Sequence, residues 1–272
     1  MAGELNILCL DSATKLGDAY RDQVVICGSH GGAYCGYLAA SSGLRAVILN
    51  DAGGGLDQAG RGCLDYCQAL GMAAAVAAHD SARIGDGDDI AARGRISGLN
   101  GTAAGLGLDV GMPVGEAADR LRAAPAWSAP VPPHLEARQV VAVDDGLPSV
   151  VCLDSVTLVT EADIGQIVMT GSHGGLMGGK PEGALRVDAF AAFFNDAGVG
   201  IERAGLGRLD ALERRSIIAA TVDAMSARIG SGLSTFEDGR LSYVNDRAAS
   251  SGLKPGMTAR EAVRLLRRRG EP

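Results

Sequence analysis

The sequence predicts an α/β protein made of two homologous lobes, each a mostly parallel sheet flanked by helices and related by a pseudo-twofold. Three observations predict it. Blocks of residues recur in order at nearly constant spacing, short continuous apolar runs alternate with helix-like stretches, and polar glycine-containing loops follow the apolar runs. Apolar strands alternating with helices imply a sheet covered on both faces. Right-handed crossovers then place every strand-to-helix loop on one edge.

The recurrence is read directly. Cys9-Leu10-Asp11-Ser12 falls on Cys152-Leu153-Asp154-Ser155, and at the same offset of 143 Gly28-Ser29-His30-Gly31-Gly32 falls on Gly171-Ser172-His173-Gly174-Gly175. Two residues inserted around positions 178–182 change the offset to 145. Asn50-Asp51-Ala52-Gly53 then matches Asn195-Asp196-Ala197-Gly198, and Ser81-Ala82-Arg83-Ile84-Gly85 matches Ser226-Ala227-Arg228-Ile229-Gly230. A period this long marks a domain-sized unit, not a solenoid repeat. Residues 124–145 open with a Pro-rich, helix-hostile run and read as a linker between lobes at 1–123 and 146–272.

The elements follow in order. Residues 6–10 and 150–153 read as short buried strands, as do 23–27 and 166–170, which lead into the Gly-Ser-His-Gly-Gly loops. A helix is expected over about 33–42, then a strand at 45–49, matched by 191–194. Helices near 60–70 and 205–214 lead to apolar strands at 73–77 and 218–222.

Composition narrows the function classes. The net charge of −7, with no basic block, makes nucleic acid and anionic membrane poor partners. No apolar run approaches the roughly 20 residues of a membrane helix. The start lacks the basic and apolar regions of a signal peptide, so a cytoplasmic setting is expected. The six cysteines are scattered. Cys63 and Cys67, at i and i+4 on an expected helix, read as buried thiols because no second pair completes a metal set. No His or Cys spacing supports a metal, and no fingerprint supports a cofactor, so neither is expected.

The chemistry-bearing residues sit in three loops that the topology should gather at the carboxyl ends of successive strands, where open α/β sheets bind ligands. Gly31, Gly32, Gly174 and Gly175 have the pattern of an anion nest of backbone amides, against the plainer reading of tight turns and close packing. Ser29, His30, Ser172 and His173 in the same loops, with Asp51 and Asp196, form the candidate catalytic set: a hydroxyl, a group that titrates near neutrality, and a carboxylate to orient it. Asn50 and Asn195 would bind a substrate carbonyl, or else cap a turn with the adjacent aspartates. Ser81, Arg83, Ser226 and Arg228 suit bidentate capture of a carboxylate, unless the arginines pair internally with an acid. Asp11-Ser12 and Asp154-Ser155 read equally as caps or ligand contacts. Glu237, whose repeat partner is Ala92, is added as a substrate-binding candidate, and His79 is noted as lacking a counterpart because Ala224 aligns with it. Such asymmetries suggest divided roles for the lobes.

In organisation, two duplicated α/β lobes are similar to those of amino-acid racemases and ring-opening amidohydrolases, whose signature motifs are absent here. The expectation is a small-molecule enzyme acting on an anionic, carboxylate-bearing metabolite, with hydrolysis of an amide- or imide-like C–N bond as the leading reaction. Proton-transfer isomerisation or racemisation, and non-catalytic binding or sensing of a small acid, are the alternatives. The internal symmetry points to descent from a C2 dimer and leaves homo-oligomerisation open.

Overall fold

Continuous runs of apolar residues build both sheets. The computed structural model of the 272-residue chain describes residues 5–144 and 147–269. The chain forms two compact units. The first takes in the chain up to Gly54, Gln58–Leu135 and Gly200–Glu202; the second comprises Gly55–Asp57, Glu136–Val199 and Arg203 onward.

In unit 1 the order is β1 (Ile7–Leu10), β2 (Val24–His30), α1 (Ala33–Ser41), β3 (Ala46–Asn50), α2 (Cys63–Leu70), β4 (Ala73–Ala77), α3 (Gly87–Arg93), β5 (Ile96–Leu99), α4 (Gly101–Ala104) and α5 (Val114–Leu121). The sheet order is β1-β2-β3-β4-β5, parallel except for the antiparallel edge strand β5. Odd and even strand positions face opposite ways. Val25, Val47, Leu49, Ala74 and Val76 pack with Cys35 and Ala39 of α1 and Cys63 and Cys67 of α2. Val24, Ile26, Ala46, Ile48 and Ala75 pack with Ile90 of α3 and Ala117, Ala118 and Leu121 of α5. Both faces are therefore covered. The left-handed Gly71 (φ 74°) ends α2, and the Asp86 side chain caps α3 through the Asp89 amide.

Unit 2 comprises β6 (Arg138–Asp144), β7 (Leu147–Leu153), β8 (Ile167–His173), β9 (Ala191–Asn195), α6 (Gly207–Arg214), β10 (Ile218–Val222), α7 (Gly232–Glu237), β11 (Leu241–Val244), α8 (Asp246–Ser250) and α9 (Ala259–Arg269). Its sheet runs β11-β10-β9-β8-β7-β6, with β6 and β11 antiparallel to their neighbours and the rest parallel. Between β8 and β9 there is no α-helix, only short 3-10 turns at Met177–Gly179 and Pro181–Gly183. Left-handed Gly178 and Gly179 (φ 56° and 66°) and then Pro181 make a helix there unfavourable.

Two expectations change. Gly28-Ser29-His30 and Gly171-Ser172-His173 are not loops: they are the last residues of β2 and β8, where irregular pairing with the next strand lets the ladder run on. Finally, β6 lies within the stretch read as linker, and the Pro-rich part is docked on unit 1. There Trp127 Nε1 donates to the Leu44 carbonyl (2.8 Å) and Tyr66 Oη to that of Pro132 (2.6 Å). Among the described residues no helix is long and apolar enough to cross a membrane.

Close backbone approach explains a key glycine. A Cβ on Gly28 would lie 2.5 Å from the Asp86 nitrogen and 2.7 Å from the Asp11 carbonyl oxygen, both main chain. Gly28→Ala should therefore cost about 2–3 kcal/mol by urea unfolding. Gly17→Ala, in open space with extended backbone, should be near neutral. Equal midpoints for the two variants would refute the packing account.

Candidate active site

The carboxyl ends of β2, β3 and β4 lie side by side in unit 1, because the register sets His30 against Asn50 and Asn50 against Ala77. The residues that follow them meet on Asp51. Its side chain is 2% exposed and held by short contacts. Oδ1 accepts from the Gly53 amide (3.0 Å) and the His79 amide (2.9 Å), and lies 3.0 Å from His79 Nδ1. Oδ2 accepts from Ser97 Oγ (2.7 Å) and Arg61 Nη2 (3.0 Å). Ala52 and Gly53 are both left-handed (φ 49° and 75°), which folds the chain back so that the Gly53 amide reaches the carboxylate.

The electrostatics follow from these contacts. Burial alone would raise the Asp51 pKa, but hydrogen bonds from His79, Ser97 and the Gly53 and His79 amides prevail and hold it well below the usual carboxylate range. His79 moves up from its ordinary value, chiefly through its hydrogen bond to Asp51 and despite partial burial. With Nδ1 held by Asp51, its Nε2 is the position left to exchange a proton, and the side chain is 28% exposed. Arg61 is 35% exposed.

In unit 2 the corresponding carboxylate stands differently. Asp196, also buried, accepts from the amides of Gly198 and Ala224, both at 3.0 Å. Burial raises its pKa, with the Ser242 hydroxyl and those amides offsetting part of the effect. The repeat offset sets Ala224 opposite His79 and Leu206 opposite Arg61. Asp196 thus lacks both cationic partners.

His30 and His173 share one device. The Gly32 amide donates to His30 Nδ1 (3.1 Å) and the Gly175 amide to His173 Nδ1 (3.2 Å), so the neutral ring carries its proton on Nε2. A Cβ on Gly32 would meet the His30 ring at 2.8 Å, which is why glycine is needed there. Burial pushes His30 down to about 4, so it is neutral at physiological pH and is not a base of useful strength. In unit 2 the buried Arg208 holds this turn by donating to the His173 and Gly175 carbonyls (3.1 Å each) and to those of Gly183 and Ala184.

Several expected ligand contacts are spent internally. The Gly31 and Gly174 amides donate to the Asn50 and Asn195 carbonyls, and the Gly32 and Gly175 amides to the histidines, so these glycines form no anion nest. Ser29 and Ser172 accept from the Ala13 and Val156 amides, each at 2.9 Å. Asn50 and Asn195 receive the Ala52 and Ala197 amides as turn caps. Ser81 and Ser226 donate to the Ala78 and Asp223 carbonyls and accept from the Arg95 and Arg240 amides. Arg83 pairs with Glu202 (2.5 Å) and Asp89 (3.3 Å) within unit 1, and Arg228 with Asp57 (2.5 Å) within unit 2. Glu237, at the end of α7, pairs with Arg260 at 3.0 Å and acts electrostatically on Cys152. Asp11 and Asp154 accept from the Gly87 and Gly232 amides at the start of α3 and α7.

Arg61, His79 and Ser97 were not among the expected site residues. For Arg61 and His79 a signal existed: each departs from an otherwise repeating stretch. Ser97 recurs as Ser242 and carried none. Among the described residues no group of three or more His, Cys, Asp or Glu side chains is placed to hold a metal ion. Compared with protein-family models, curated proteins and solved structures, the chain matches none.

Proposed function

We propose that the chain is a small-molecule enzyme working at the carboxyl rim of the unit 1 sheet, with His79 transferring the proton and Asp51 orienting it. The observation that carries this reading is the Asp51 Oδ1–His79 Nδ1 contact at 3.0 Å, on a carboxylate that stays ionised and an imidazole that is partly open. A carboxylate behind an imidazole fixes its tautomer and stabilises the imidazolium that forms during proton transfer.

The proposed reaction is hydrolysis of an amide- or imide-like C–N bond in a carboxylate-bearing metabolite. His79 Nε2 removes a proton from water as its oxygen bonds to the acyl carbon. The imidazolium then returns that proton to the nitrogen as the C–N bond breaks, giving an acid and an amine. Neutral His30 is not a base in this scheme. Arg61 replaces Arg83 as the anchor for the substrate carboxylate. Ser29 and Ser172 have no nucleophilic part in this scheme. The same reading treats the chain as an internal duplication in which unit 2, with Leu206 and Ala224, has lost the dyad and keeps a structural or binding role.

Isomerisation by proton transfer is the second reading, favoured by two imidazoles of opposite protonation preference on one rim, His30 at the end of β2 and His79 after β4. One experiment separates them. The purified chain is incubated in D₂O with N-acyl amino acids and cyclic imides, followed by mass spectrometry. Amine release supports hydrolysis, and deuterium uptake without cleavage supports isomerisation. Ligand bound but recovered unchanged across the set would leave a binding protein and overturn the enzymatic reading.

A further inference from the structure

Unit 1 has a concavity at the opposite end of its strands from the Asp51–His79 rim. Its volume is about 490 Å³, within the range of small-ligand pockets, which runs from roughly 300 to 1,000 Å³. Arg21 and Asp22, just before β2, line it together with Gly43 and Arg45, just before β3, and Trp127 from the docked Pro-rich segment. It therefore opens at the amino ends of β2 and β3. Five-residue strands at about 3.3 Å per residue separate it from the Asp51–His79 rim by roughly 16 Å.

The walls are chemically specific. The Trp127 indole cannot swing freely, because its Nε1 is bonded to the Leu44 carbonyl at 2.8 Å, so one wall is a fixed aromatic surface. Arg45 is only 15% exposed; its Nη2 pairs with Asp22 (2.5 Å) and its Nη1 donates to the Ala124 carbonyl (3.1 Å). Its Nε is buried and has no hydrogen-bond partner among the described residues. A buried guanidinium N–H left unpaired is costly unless a ligand or water satisfies it. Arg21 stands 64% exposed, tied to Asp18 at 3.1 Å. Two guanidinium groups thus line the cavity beside one lining carboxylate, Asp22, while Asp18 pairs with Arg21 from outside the lining.

We propose that this cavity is a binding site for a small aromatic carboxylate, the ring lying against Trp127 and the carboxylate meeting the Arg21 and Arg45 guanidinium groups. Planar guanidinium groups match a carboxylate in geometry as well as charge, and an indole face suits a flat ring. The site is separate from the Asp51–His79 rim and does not depend on that rim being catalytic.

The chain contains a single tryptophan, so its fluorescence reports on this cavity alone. Benzoate is titrated into the full-length protein with excitation at the red edge of indole absorption, and calorimetry runs in parallel. Benzyl alcohol and benzylamine serve as neutral and cationic controls. Saturable binding of benzoate, absent for both controls and weakened about tenfold or more in Arg21→Gln, is the expected result. Arg21→Gln alters an exposed side chain, and an unchanged urea midpoint confirms that its fold is intact. Trp127→Phe, followed by calorimetry, should retain weaker binding. No saturable benzoate signal, an equal response to benzylamine, or an Arg21→Gln protein that binds benzoate as the wild type does would each overturn the proposal.

Discussion

A His79→Gln protein is expected to turn over an amide substrate about 10²- to 10⁴-fold more slowly than the wild type, the usual contribution of a positioned acid–base group. Its fold should survive, since His79 is 28% exposed and Gln can still donate to Asp51. The pH dependence makes the assignment specific. Water activation needs the neutral imidazole, so the wild-type rate should rise with pH through the pKa of His79. That pKa lies above the ordinary 6.5 because Asp51 accepts its Nδ1 proton. Asp51→Asn removes the cause, so it should shift the rising limb to lower pH as well as slow the reaction. His30→Gln should leave the limb where it is, because His30 is neutral throughout that range. Imidazole NMR checks the same point without a substrate. If His79 titrates at or below 6.5, or its titration ignores Asp51→Asn, the dyad is not the working unit.

How far the sequence reveals this site depends on the range of the contact concerned. Strands β2, β3, β4, β8, β9 and β10 were legible because each is a run of buried apolar residues set between glycine- and polar-rich turns, a local signal. The gathering of His30, Asn50 and Asp51 at one edge was legible too, since it follows from strand direction. What was not legible is partner choice. Arg83 has the position of a ligand anchor, yet one of its acids, Asp89, is six residues away and the other, Glu202, is 119 residues away. No spacing rule connects the latter pair. Asp51 draws its partners from positions 53, 61, 79 and 97, four separate stretches of the chain, so only tertiary structure shows which imidazole it meets. The repeated Ser-His motif drew attention to His30 and His173. The residue that breaks the repeat, His79, is the one that meets the Asp51 carboxylate. The missing helix between β8 and β9 had a readable cause in Gly178, Gly179 and Pro181.

Asp51→Asn and Asp196→Asn should act on stability in opposite directions at neutral pH. Asp51 is buried, ionised and bonded to Arg61, His79, Ser97 and two amides. Neutralising it leaves Arg61 without its carboxylate, a loss of about 2–4 kcal/mol by urea unfolding when discounted for the partial exposure of Arg61. Its folded pKa is depressed, so its stabilisation is present above the unfolded value near 3.9 and fades as pH falls toward the folded one. His79, raised above 6.5, contributes in full below 6.5 and loses that contribution as pH rises through its folded pKa. The pair is therefore strongest between about pH 4 and 6.5. Asp196 has the reverse sign. Burial raises its pKa, so charging it above the unfolded value costs stability, and that cost is complete once pH has passed the folded pKa. Asn keeps the acceptor that receives the Gly198 and Ala224 amides. Asp196→Asn should consequently be neutral to about 1 kcal/mol stabilising at pH 7, and the difference from wild type should vanish toward pH 3. Comparable losses from both substitutions at pH 7 would mean that Arg61 and His79 do not distinguish the two carboxylates, and the assignment of the working site to unit 1 would fall with that distinction.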